Sequence, residues 1–225
     1  YVGKNDPCLI MVDAGVNHNN DPQRAIDLVV ATAEAGADVV KFQTYKAHAI
    51  TTKKAPRYWN PKLDTDGGGT QYETFSRIDD LPLEAYADMQ KAAEERGIVF
   101  CSTPFNLDDV DFLSDLGMDV FKISSSDITN RPLIEYICNF KKPIILSTGA
   151  SEYSEIDEAL SWIDAKNVPV ALMHCTLIYP TPDEHANLRM ISGLSRRYPH
   201  RVIGFSDHTY PSDMRTLEVA SVLIL

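Results

Sequence analysis

The sequence predicts an α/β protein, because short apolar runs alternate along the chain with segments of helical periodicity. Such alternation is typical of a parallel sheet covered by helices. Seven of the apolar runs end in a cluster of polar residues, namely CLIMVDAGVNH, DVVKFQT, IVFCSTPF, DVFKISSSD, PIILSTG, VALMHCT and VIGFSDHT. A closed barrel of parallel strands carries its active site at the C-terminal ends of those strands. The repeated pattern therefore predicts a TIM (β/α)8-type barrel with a catalytic face.

The individual elements are predicted from their own boundary signals. The first helix should begin at Asp21-Pro22, since aspartate caps helices and proline suits the first helical position, and Gly36 should end it. The polar stretch over residues 46–80 predicts an elaborated loop that covers the pocket. The predicted strands span residues 9–14, 38–42, 98–102, 119–123, 144–147, 170–174 and 202–205. The predicted helices span residues 21–35, 82–96, 107–116, 132–140, 152–164, 187–198 and about 213–225.

The length and the two ends of the sequence bear on domain organisation. With 225 residues and no internal linker, the chain is predicted to form one catalytic barrel domain over residues 1–225. It starts at Tyr1 without a methionine, and its last predicted helix reaches Leu225 without a glycine or proline stop. No eighth strand is predicted. These features predict a barrel that is truncated after the seventh strand, with an incomplete C-terminal end.

Charge, hydropathy and cysteine spacing exclude several classes of protein. A net charge of −11 argues against nucleic acid or an anionic membrane as a partner. No apolar stretch approaches the roughly 18 residues of a membrane span and no signal peptide is visible, so a cytoplasmic location is expected. The cysteines lie in or beside apolar runs without C-x-x-C spacing, which predicts buried thiols rather than disulfides or metal ligands. They are Cys8, Cys101, Cys138 and Cys175.

Two lysines stand at near-equivalent places, Lys41 in VVKFQT and Lys122 in VFKISSSD, each towards the C-terminal end of a strand. Burying a lysine in an apolar strand is costly unless an anion or a carboxylate meets it. Two lysines at one barrel mouth would bind a phosphate or carboxylate group. The alternative interpretation is an internal ion pair, for example with Asp13.

Hydroxyl groups and a histidine extend this candidate site. Short hydroxyl side chains beside backbone amides suit phosphate oxygens, although the same residues are common in turns. The hydroxyl residues at adjacent strand ends are Ser124, Ser125, Ser126, Ser147 and Thr148. His208 follows the seventh strand and adjoins Asp207, which fits a divalent-metal ligand provided that a second strong ligand exists. For His18 and His174 a structural role is slightly favoured.

Two acids, Asp13 and Asp127, stand at the ends of the first and fourth strands. Carboxylates at a barrel mouth can orient water, accept protons or bind sugar hydroxyls. Helix capping is the alternative role, and it is most plausible for Asp127, which precedes the helix predicted to begin at Pro132.

Eight motifs occur in a fixed order along essentially the whole chain. They read VDAGVNHN, AGADVVKFQTYKA, the segment Gln71-Tyr72-Glu73, FCSTPFN, FKISSSDITNRPLI, KPIILSTGAS, HCTLIYPTP and GFSDHT. In this order they resemble the sialic acid synthase family, which comprises N-acetylneuraminate, legionaminate and pseudaminate synthases and spore-coat polysaccharide relatives.

The resemblance implies a TIM barrel followed by an antifreeze-like domain, and an enzyme that condenses phosphoenolpyruvate with an open-chain N-acetylated amino sugar while releasing phosphate. It also implies a divalent metal, Mn²⁺ with Mg²⁺ or Co²⁺ as alternatives, and a homodimer at full length. By motif, the residues that would hold phosphoenolpyruvate are Lys41, Lys122, Ser125, Ser147 and Ser206. The catalytic residues would be Asp13 and His208, with His208 as a metal ligand. The residues facing the sugar would be Gln43, Asp127 and Tyr179.

The sequence departs from the family pattern in several places. Asp13 stands where the family usually has a glutamate, Leu177 where it often has an asparagine, and Asn20 where it commonly has a glycine. The eighth strand, which brings the second metal histidine in the family, and the antifreeze-like domain are absent from the 225 residues. Two other interpretations therefore stay open. One is a Schiff-base aldolase with Lys41 or Lys122 as nucleophile, and the other is a truncated, non-catalytic barrel fragment.

Overall fold

The computed structural model describes residue 3 and residues 6–59, 68–210 and 215–224. In that part of the chain helices alternate with strands that pair in parallel, so the predicted α/β class is confirmed. The chain divides into two compact units, a first unit over Leu9–Asp119 and a second unit over Val120–Leu225 together with Tyr1–Cys8. Within the described ranges, no helix has the length and apolar content needed to cross a lipid bilayer.

The first unit contains a three-stranded parallel sheet in the order β1-β2-β3. Its elements are β1 (Met11–Gly15), α1 (Pro22–Glu34), β2 (Val39–Thr44), α2 (Ala47–Ile50), α3 (Gln71–Ser76), α4 (Leu83–Glu95), β3 (Val99–Pro104) and α5 (Leu107–Asp115). The stretch predicted as one long loop contains the short helices α2 and α3, and its residues 60–67 lie outside the described part of the chain.

The second unit contains a four-stranded parallel sheet in the order β4-β5-β6-β7. Its elements are β4 (Phe121–Ile123), α6 (Arg131–Cys138), β5 (Ile144–Ser147), α7 (Tyr153–Asp164), β6 (Val170–Cys175), α8 (Arg189–Arg197), β7 (Val202–Ser206) and α9 (Arg215–Ile224). The sequence predicts a start near residue 213 for the last helix, and that residue and residue 225 lie outside the described residues.

Helix α1 begins as the sequence predicts. The carboxylate of Asp21 accepts hydrogen bonds from the amides of Gln23 at 2.9 Å and Arg24 at 3.3 Å, and Pro22 is the first helical residue. Beyond the end of the helix, Gly36 adopts a φ of +80°, in the left-handed region that glycine reaches without steric cost. The residues at both ends of α1 were therefore sufficient to predict where the helix begins and ends.

One face of the second sheet carries the polar residues at its strand ends. Side chains two residues apart in a strand share a face, and parallel register carries that face from strand to strand. The register pairs that define it are Lys122 with Ile145, Ser147 with Met173, and Cys175 with Ser206. Because Ile145 precedes Ser147 by two residues and Met173 precedes Cys175 by two, the polar residues of all four strands lie on one face.

The opposite face of the second sheet is apolar and buried. Phe121, Leu146 and Leu172 lie on this face and are fully buried. His174 is two residues beyond Leu172, so it belongs to this buried face and not to the face of Lys122.

The first sheet is divided in the same way. Asp13 and Lys41 are paired in register, and Gln43 lies two residues beyond Lys41, so these three polar residues share a face. Phe42 lies on the other face, where its ring stacks on Phe100 at 5.8 Å between centroids. In both sheets, therefore, period-two alternation separates polar strand-end residues from the apolar core.

Candidate active site

In the second unit, polar groups gather at the C-terminal ends of β4, β5 and β6. We call this group the Lys122 cluster, and its members are Lys122, Ser125, Ser147, Gly149 and Cys175. Lys122 is only 7% exposed. Its Nζ donates hydrogen bonds to Ser147 Oγ at 2.5 Å and to the Ile123 carbonyl at 3.1 Å. A buried ammonium beside hydroxyls at a strand end can bind an anionic group through charge-assisted hydrogen bonds.

Ser125 is held in place by two other members of the cluster. Its Oγ accepts a hydrogen bond from the Gly149 amide at 2.9 Å and lies 3.0 Å from the Cys175 sulfur. Glycine permits this approach, because a Cβ at position 149 would lie 2.6 Å from Cys175 Sγ and 3.0 Å from Ser125 Oγ. Cys175 and Gly149 were not among the site residues predicted from the sequence. Their only signal was their place in the strand-end motifs HCT and STG.

Ser206, at the end of β7, lies in register with Cys175 and is half-buried. It therefore belongs to the same sheet face as the Lys122 cluster. By contrast, the hydroxyls of two other candidates donate hydrogen bonds to groups outside the Lys122 cluster. Thr148 Oγ1 donates to the Met173 carbonyl at 3.1 Å, and the exposed Ser126 donates to Ser124 Oγ at 3.0 Å. Ser126 thus belongs to a turn, as the alternative interpretation has it, whereas Thr148 links the end of β5 to β6.

Asp127 does not cap the helix that follows it, so the capping alternative is wrong. The cap of α6 is Asn130, whose Oδ1 accepts a hydrogen bond from the Leu133 amide at 3.3 Å. Asp127 instead ends a 3₁₀ turn over Ser125–Asp127, where its Oδ1 accepts a hydrogen bond from Asn130 Nδ2 at 3.1 Å. Burial raises the pKa of Asp127, against the opposing effect of the hydrogen bonds from Asn130 and Ser126.

His208 lies in the loop after β7, with its ring orientation fixed by a backbone contact. Its Nδ1 is 2.8 Å from the carbonyl oxygen of Thr176. A carbonyl can only accept, so Nδ1 carries the hydrogen and the lone pair of the neutral ring resides on Nε2. The ring also contacts that of Tyr179, with 4.2 Å between centroids. The neighbouring Asp207 accepts hydrogen bonds from the amide and the hydroxyl of Thr209, both at 3.0 Å.

A metal ion would find one suitable imidazole here, because a histidine whose Nδ1 is bound to a carbonyl presents Nε2 as its ligand atom. Among the described residues, no group of three or more histidine, cysteine, aspartate or glutamate side chains is arranged to hold a metal. The donor chemistry of His208 thus fits one ligand of a metal.

An open groove of the second unit is lined in part by Thr148, Cys175, Thr176 and Leu177. Leu177, which stands where the family often has asparagine, would come within 3.1 Å of a Cβ at Gly149. It therefore presents an apolar side chain next to the Lys122 cluster.

In the first unit, an ion pair joins two of the predicted site residues. Lys41 Nζ lies 2.8 Å from Asp13 Oδ1, with the lysine side chain 9% exposed and the aspartate side chain 52% exposed. The ion pair named as an alternative for Lys41 is therefore confirmed. Gln43 completes this group, which we call the Asp13 cluster. A Cβ built on Gly15 would lie 3.5 Å from Asp13 Oδ1 and 3.9 Å from Gln43 Nε2, so both side chains flank that glycine.

A small pocket of the first unit is bounded by hydrogen-bonding side chains that the sequence analysis did not select, apart from Gln43. Its lining residues are His18, Gln43, Tyr45, Ile78, Asp79, Leu81 and Tyr86. Burial, with the Asp79 carboxylate nearby, raises the pKa of Tyr45, and burial lowers the pKa of His18. His18 Nδ1 accepts a hydrogen bond from the Asn20 amide at 3.1 Å. The predicted structural role of His18 is thus confirmed, although the residue also lines the pocket.

His174 has the structural role that the sequence analysis favoured. Its Nε2 is 2.8 Å from the Ala186 carbonyl and its ring stacks on Phe205 at 5.6 Å. The prediction of buried thiols holds for three of the four cysteines. It is wrong for Cys8, which is exposed because it precedes the first strand.

In parallel α/β folds, the active site lies at the C-terminal ends of the strands, which is where the Lys122 cluster is found. The sequence profile of the NeuB family matches residues 28–222. The chain therefore belongs to the NeuB family.

Individual relatives agree with this assignment. The chain is 39% identical over 204 residues to the N,N'-diacetyllegionaminic acid synthase of Campylobacter jejuni, covering 89% of this chain and 60% of that protein. It is 36% identical over 211 residues to the spore coat polysaccharide biosynthesis protein SpsE of Bacillus subtilis, covering 92% of this chain and 55% of that protein. The chain thus spans less than two thirds of the length of either relative.

A solved structure gives the same result for the fold. The crystal structure of N-acetylneuraminic acid synthetase from Leptospira borgpetersenii, in complex with citrate, superposes with a TM-score of 0.82 at 28% identity. The match covers 98% of this chain and 74% of that one. The chain thus shares its fold with a sialic acid synthetase along nearly its whole length.

The close contacts around Gly149 predict opposite effects for two glycine-to-alanine substitutions. Gly149→Ala should lower the free energy of unfolding by about 1–3 kcal/mol, because the new methyl overpacks against Cys175 and Ser125. Gly193→Ala, inside α8 and with its nearest neighbour at 3.4 Å, should raise it by up to about 1 kcal/mol. Urea denaturation measures both. Equal stability of the two variants would show that position 149 has room for a side chain.

His174 predicts a pH dependence of stability. Burial lowers the pKa of His174 below its ordinary value, although the hydrogen bond to Ala186 acts against this. As the pH falls below about 6.5, the unfolded chain takes up a proton that the folded chain resists, so stability present above that pH is lost. Between pH 7.5 and 5.5 the wild type should lose up to about 1.4 kcal/mol more than His174→Gln.

The comparison between wild type and variant isolates His174. Asp109, whose pKa burial raises to about 6, titrates in the same range but is present in both proteins. The exposed His200 provides the matched control, and His200→Gln should follow the wild-type pH profile. Parallel profiles for wild type and His174→Gln would contradict the prediction.

Proposed function

We propose that the protein is a nonulosonic acid synthase that condenses phosphoenolpyruvate with an open-chain N-acetylated amino sugar and releases phosphate. The observation that carries the proposal is the Lys122 cluster, a buried ammonium beside hydroxyls at strand ends, in a chain of the NeuB family. Relatives in that family are named as legionaminic acid synthase and as a spore coat polysaccharide biosynthesis protein.

The charged ends of phosphoenolpyruvate would be bound by the two lysines and by neighbouring hydroxyls. Lys122, Ser125 and Ser147 would bind one anionic group, with Ser206 on the same sheet face. Lys41 would bind a second group while keeping its contact with Asp13. Fixed ammonium groups of this kind stabilise negative charge that builds up in a transition state, because they need no reorganisation at the moment of reaction.

The sugar would be oriented by Gln43, Asp127 and Tyr179. An amide, a carboxylate and a phenol together supply the donors and acceptors that match hydroxyl and N-acetyl groups. Asp127 is partly buried, with a raised pKa, while Tyr179 is 43% exposed and so accessible to a ligand.

The reaction would form one carbon–carbon bond and one carbon–oxygen bond from water, and it would break the carbon–oxygen bond to phosphate. Carbon 3 of phosphoenolpyruvate attacks the aldehyde carbon of the sugar, whose oxygen takes up a proton, and positive charge develops at carbon 2. Water adds to carbon 2 and loses a proton, after which phosphate leaves with its bridging oxygen, and the hydroxyl left on carbon 2 gives up its proton to form the ketone. Asp13 would orient this water or accept its proton, since its carboxylate is half-exposed and held by Lys41.

A divalent metal, Mn²⁺ in the first place with Mg²⁺ or Co²⁺ as alternatives, would be bound through Nε2 of His208. Its contribution when bound would be Lewis-acid polarisation of the sugar aldehyde. The hydrogen bond from His208 to Thr176 supports this role, because it fixes both the tautomer and the ring orientation.

Three further features belong to the proposal. The two sheets would form parts of a closed TIM (β/α)8-type barrel, and the full-length protein would be a homodimer with an antifreeze-like domain. The single-domain boundary at residues 1–225 and the cytoplasmic location stay predictions.

The Schiff-base aldolase is the less supported mechanism. The ion pair with Asp13 uses the ammonium form of Lys41, whereas a Schiff-base nucleophile must be a neutral amine. Borohydride trapping with pyruvate would support the aldolase, and release of inorganic phosphate from phosphoenolpyruvate would support the synthase. A lack of both activities in the full-length protein would favour a non-catalytic role.

The first test of the synthase is substrate binding by Lys122→Ala in the full-length protein. Loss of a charge-assisted contact in a buried site should weaken phosphoenolpyruvate binding by roughly 1.5–3 kcal/mol, as measured by titration calorimetry. Lys91→Ala is the matched control, because Lys91 is 74% exposed on α4 and should not affect binding. Unchanged affinity in a folded Lys122→Ala protein would contradict the proposed role.

The second test is turnover by Asp13→Asn. Asparagine keeps the size of the side chain and can still accept a hydrogen bond from Lys41, but it cannot take a proton. We expect kcat to fall by about 10²-fold with phosphoenolpyruvate affinity largely retained. Asp27→Asn, on the exposed surface of α1, serves as the control. Near wild-type kcat in Asp13→Asn would leave Asp13 a structural partner of Lys41.

A further inference from the structure

Asn20, in the loop between β1 and α1, has a backbone conformation that few residues adopt. Its φ is +61°, in the left-handed region that glycine, asparagine and aspartate reach most readily. The backbone conformation alone would therefore be satisfied by glycine as well as by asparagine. It does not explain what the asparagine side chain does there.

The side chain of Asn20 holds a distant segment of the first unit. Its Nδ2 donates a hydrogen bond to the Arg77 carbonyl at 2.8 Å, and its Oδ1 accepts one from the Asp80 amide at 3.0 Å. These two contacts bracket residues 77–80. A glycine at position 20 could adopt the same backbone conformation but could make neither contact.

The bracketed segment forms one wall of the pocket lined by Gln43, whose volume of about 10 Å³ has room for about one water molecule, so the segment packs closely around that side chain. Ile78 and Asp79 line that pocket together with Gln43 and His18. From the other side, the Ala47 amide donates to Asp79 Oδ2 at 2.7 Å. Segment 77–80 is thus hydrogen-bonded to the β1–α1 loop on one side and to the start of α2 on the other. The side chain of Asn20 makes the hydrogen bonds from the β1–α1 loop.

We propose that Asn20 is a positioning residue that fixes segment 77–80 beside Gln43 and so sets the orientation of the Gln43 side chain towards the amino sugar. The inference rests on the proposed function for the identity of the ligand. Asn20 acts through the segment and not by contact with substrate. Its loss should therefore weaken amino-sugar binding without affecting phosphoenolpyruvate.

The informative substitution is Asn20→Gly in the full-length protein, because glycine retains the left-handed backbone and removes only the side-chain contacts. Asn19→Gly is the matched control. Asn19 also has a positive φ, of +49°, and is exposed. Any general effect of adding a glycine to this loop would appear equally in both variants.

Two measurements test the proposal. In Asn20→Gly, KM for the amino sugar should rise about three- to tenfold, as expected for the loss of two solvent-accessible hydrogen bonds, with KM for phosphoenolpyruvate and kcat within about twofold of wild type. Hydrogen–deuterium exchange in a peptide covering residues 77–81 should become several-fold faster, whereas helix α4 should be unaffected. Asn19→Gly should match wild type in both measurements.

A conservative variant separates the two contacts. Asn20→Asp keeps an acceptor for the Asp80 amide but loses the donor to the Arg77 carbonyl. We therefore expect exchange at Asp80 to stay closer to wild type than in Asn20→Gly, while KM for the sugar remains raised.

The outcomes distinguish the inference from the function on which it rests. An active wild type combined with an unchanged sugar KM in Asn20→Gly overturns the positioning role, whether or not exchange becomes faster. A rise in both KM values by the same factor also overturns it, because that result indicates a general loss of structure. A full-length wild type that fails to condense phosphoenolpyruvate with any N-acetylated amino sugar overturns the proposed function, and the sugar-positioning role with it.

Discussion

Successive side chains of a strand point to opposite faces of the sheet, and the arrangement of both units depends on this alternation. In the second unit it places Lys122, Ser147, Cys175 and Ser206 on one face, while the residues between them fill the core. A shift of one residue in register would move the hydroxyls to the core face and the apolar side chains to the face of Lys122. The apolar face that stabilises the sheet therefore also fixes which polar groups meet at the strand ends.

The two buried lysines make contacts with different kinds of group. Lys41 is neutralised by Asp13, which remains half-exposed, so the pair faces solvent on its carboxylate side. Lys122 donates to a hydroxyl and to a backbone carbonyl. Both contacts fix the orientation of the ammonium. The ammonium of Lys41 thus contacts an acid that can accept a proton, and the ammonium of Lys122 contacts the hydroxyl of Ser147.

Positive φ angles occur at the ends of the strands of these sites and in the loops that follow them. Gly15, at a bulge of β1, has a φ of +54° and lies between the side chains of Asp13 and Gln43. Ala150 has a φ of +52° directly after Gly149, although alanine gains no benefit from the left-handed region. Such conformations persist only where the surrounding contacts impose them. At the strand ends, therefore, contacts of the surrounding side chains determine the backbone conformation, even where it is locally unfavourable.

Local sequence patterns by themselves determined the order of the elements, the start of α1 at Asp21 and Pro22, and the polar residues at the ends of strands. Hydrophobic period and helix capping involve residues close in sequence, so these features can be read without knowledge of packing. The position of Lys41 in the sequence predicts either an anion site or an ion pair. The ion pair with Asp13 could not be predicted with certainty, because it depends on the register between β1 and β2.

Only the tertiary structure decided which residues distant in sequence come into contact. The contact of Ser125 with Cys175 and the hold of Asn20 on residues 77–80 join separate segments, and neither leaves a periodic signal in the sequence. His174 is a similar case, since its place on the buried face follows from the pairing of β6 with its neighbours. Even the cap of α6 needed the structure, because Asp127 and Asn130 are both good capping residues and only the turn geometry selects Asn130. Sequence patterns encode local conformation, whereas partners across the fold are set by register and packing.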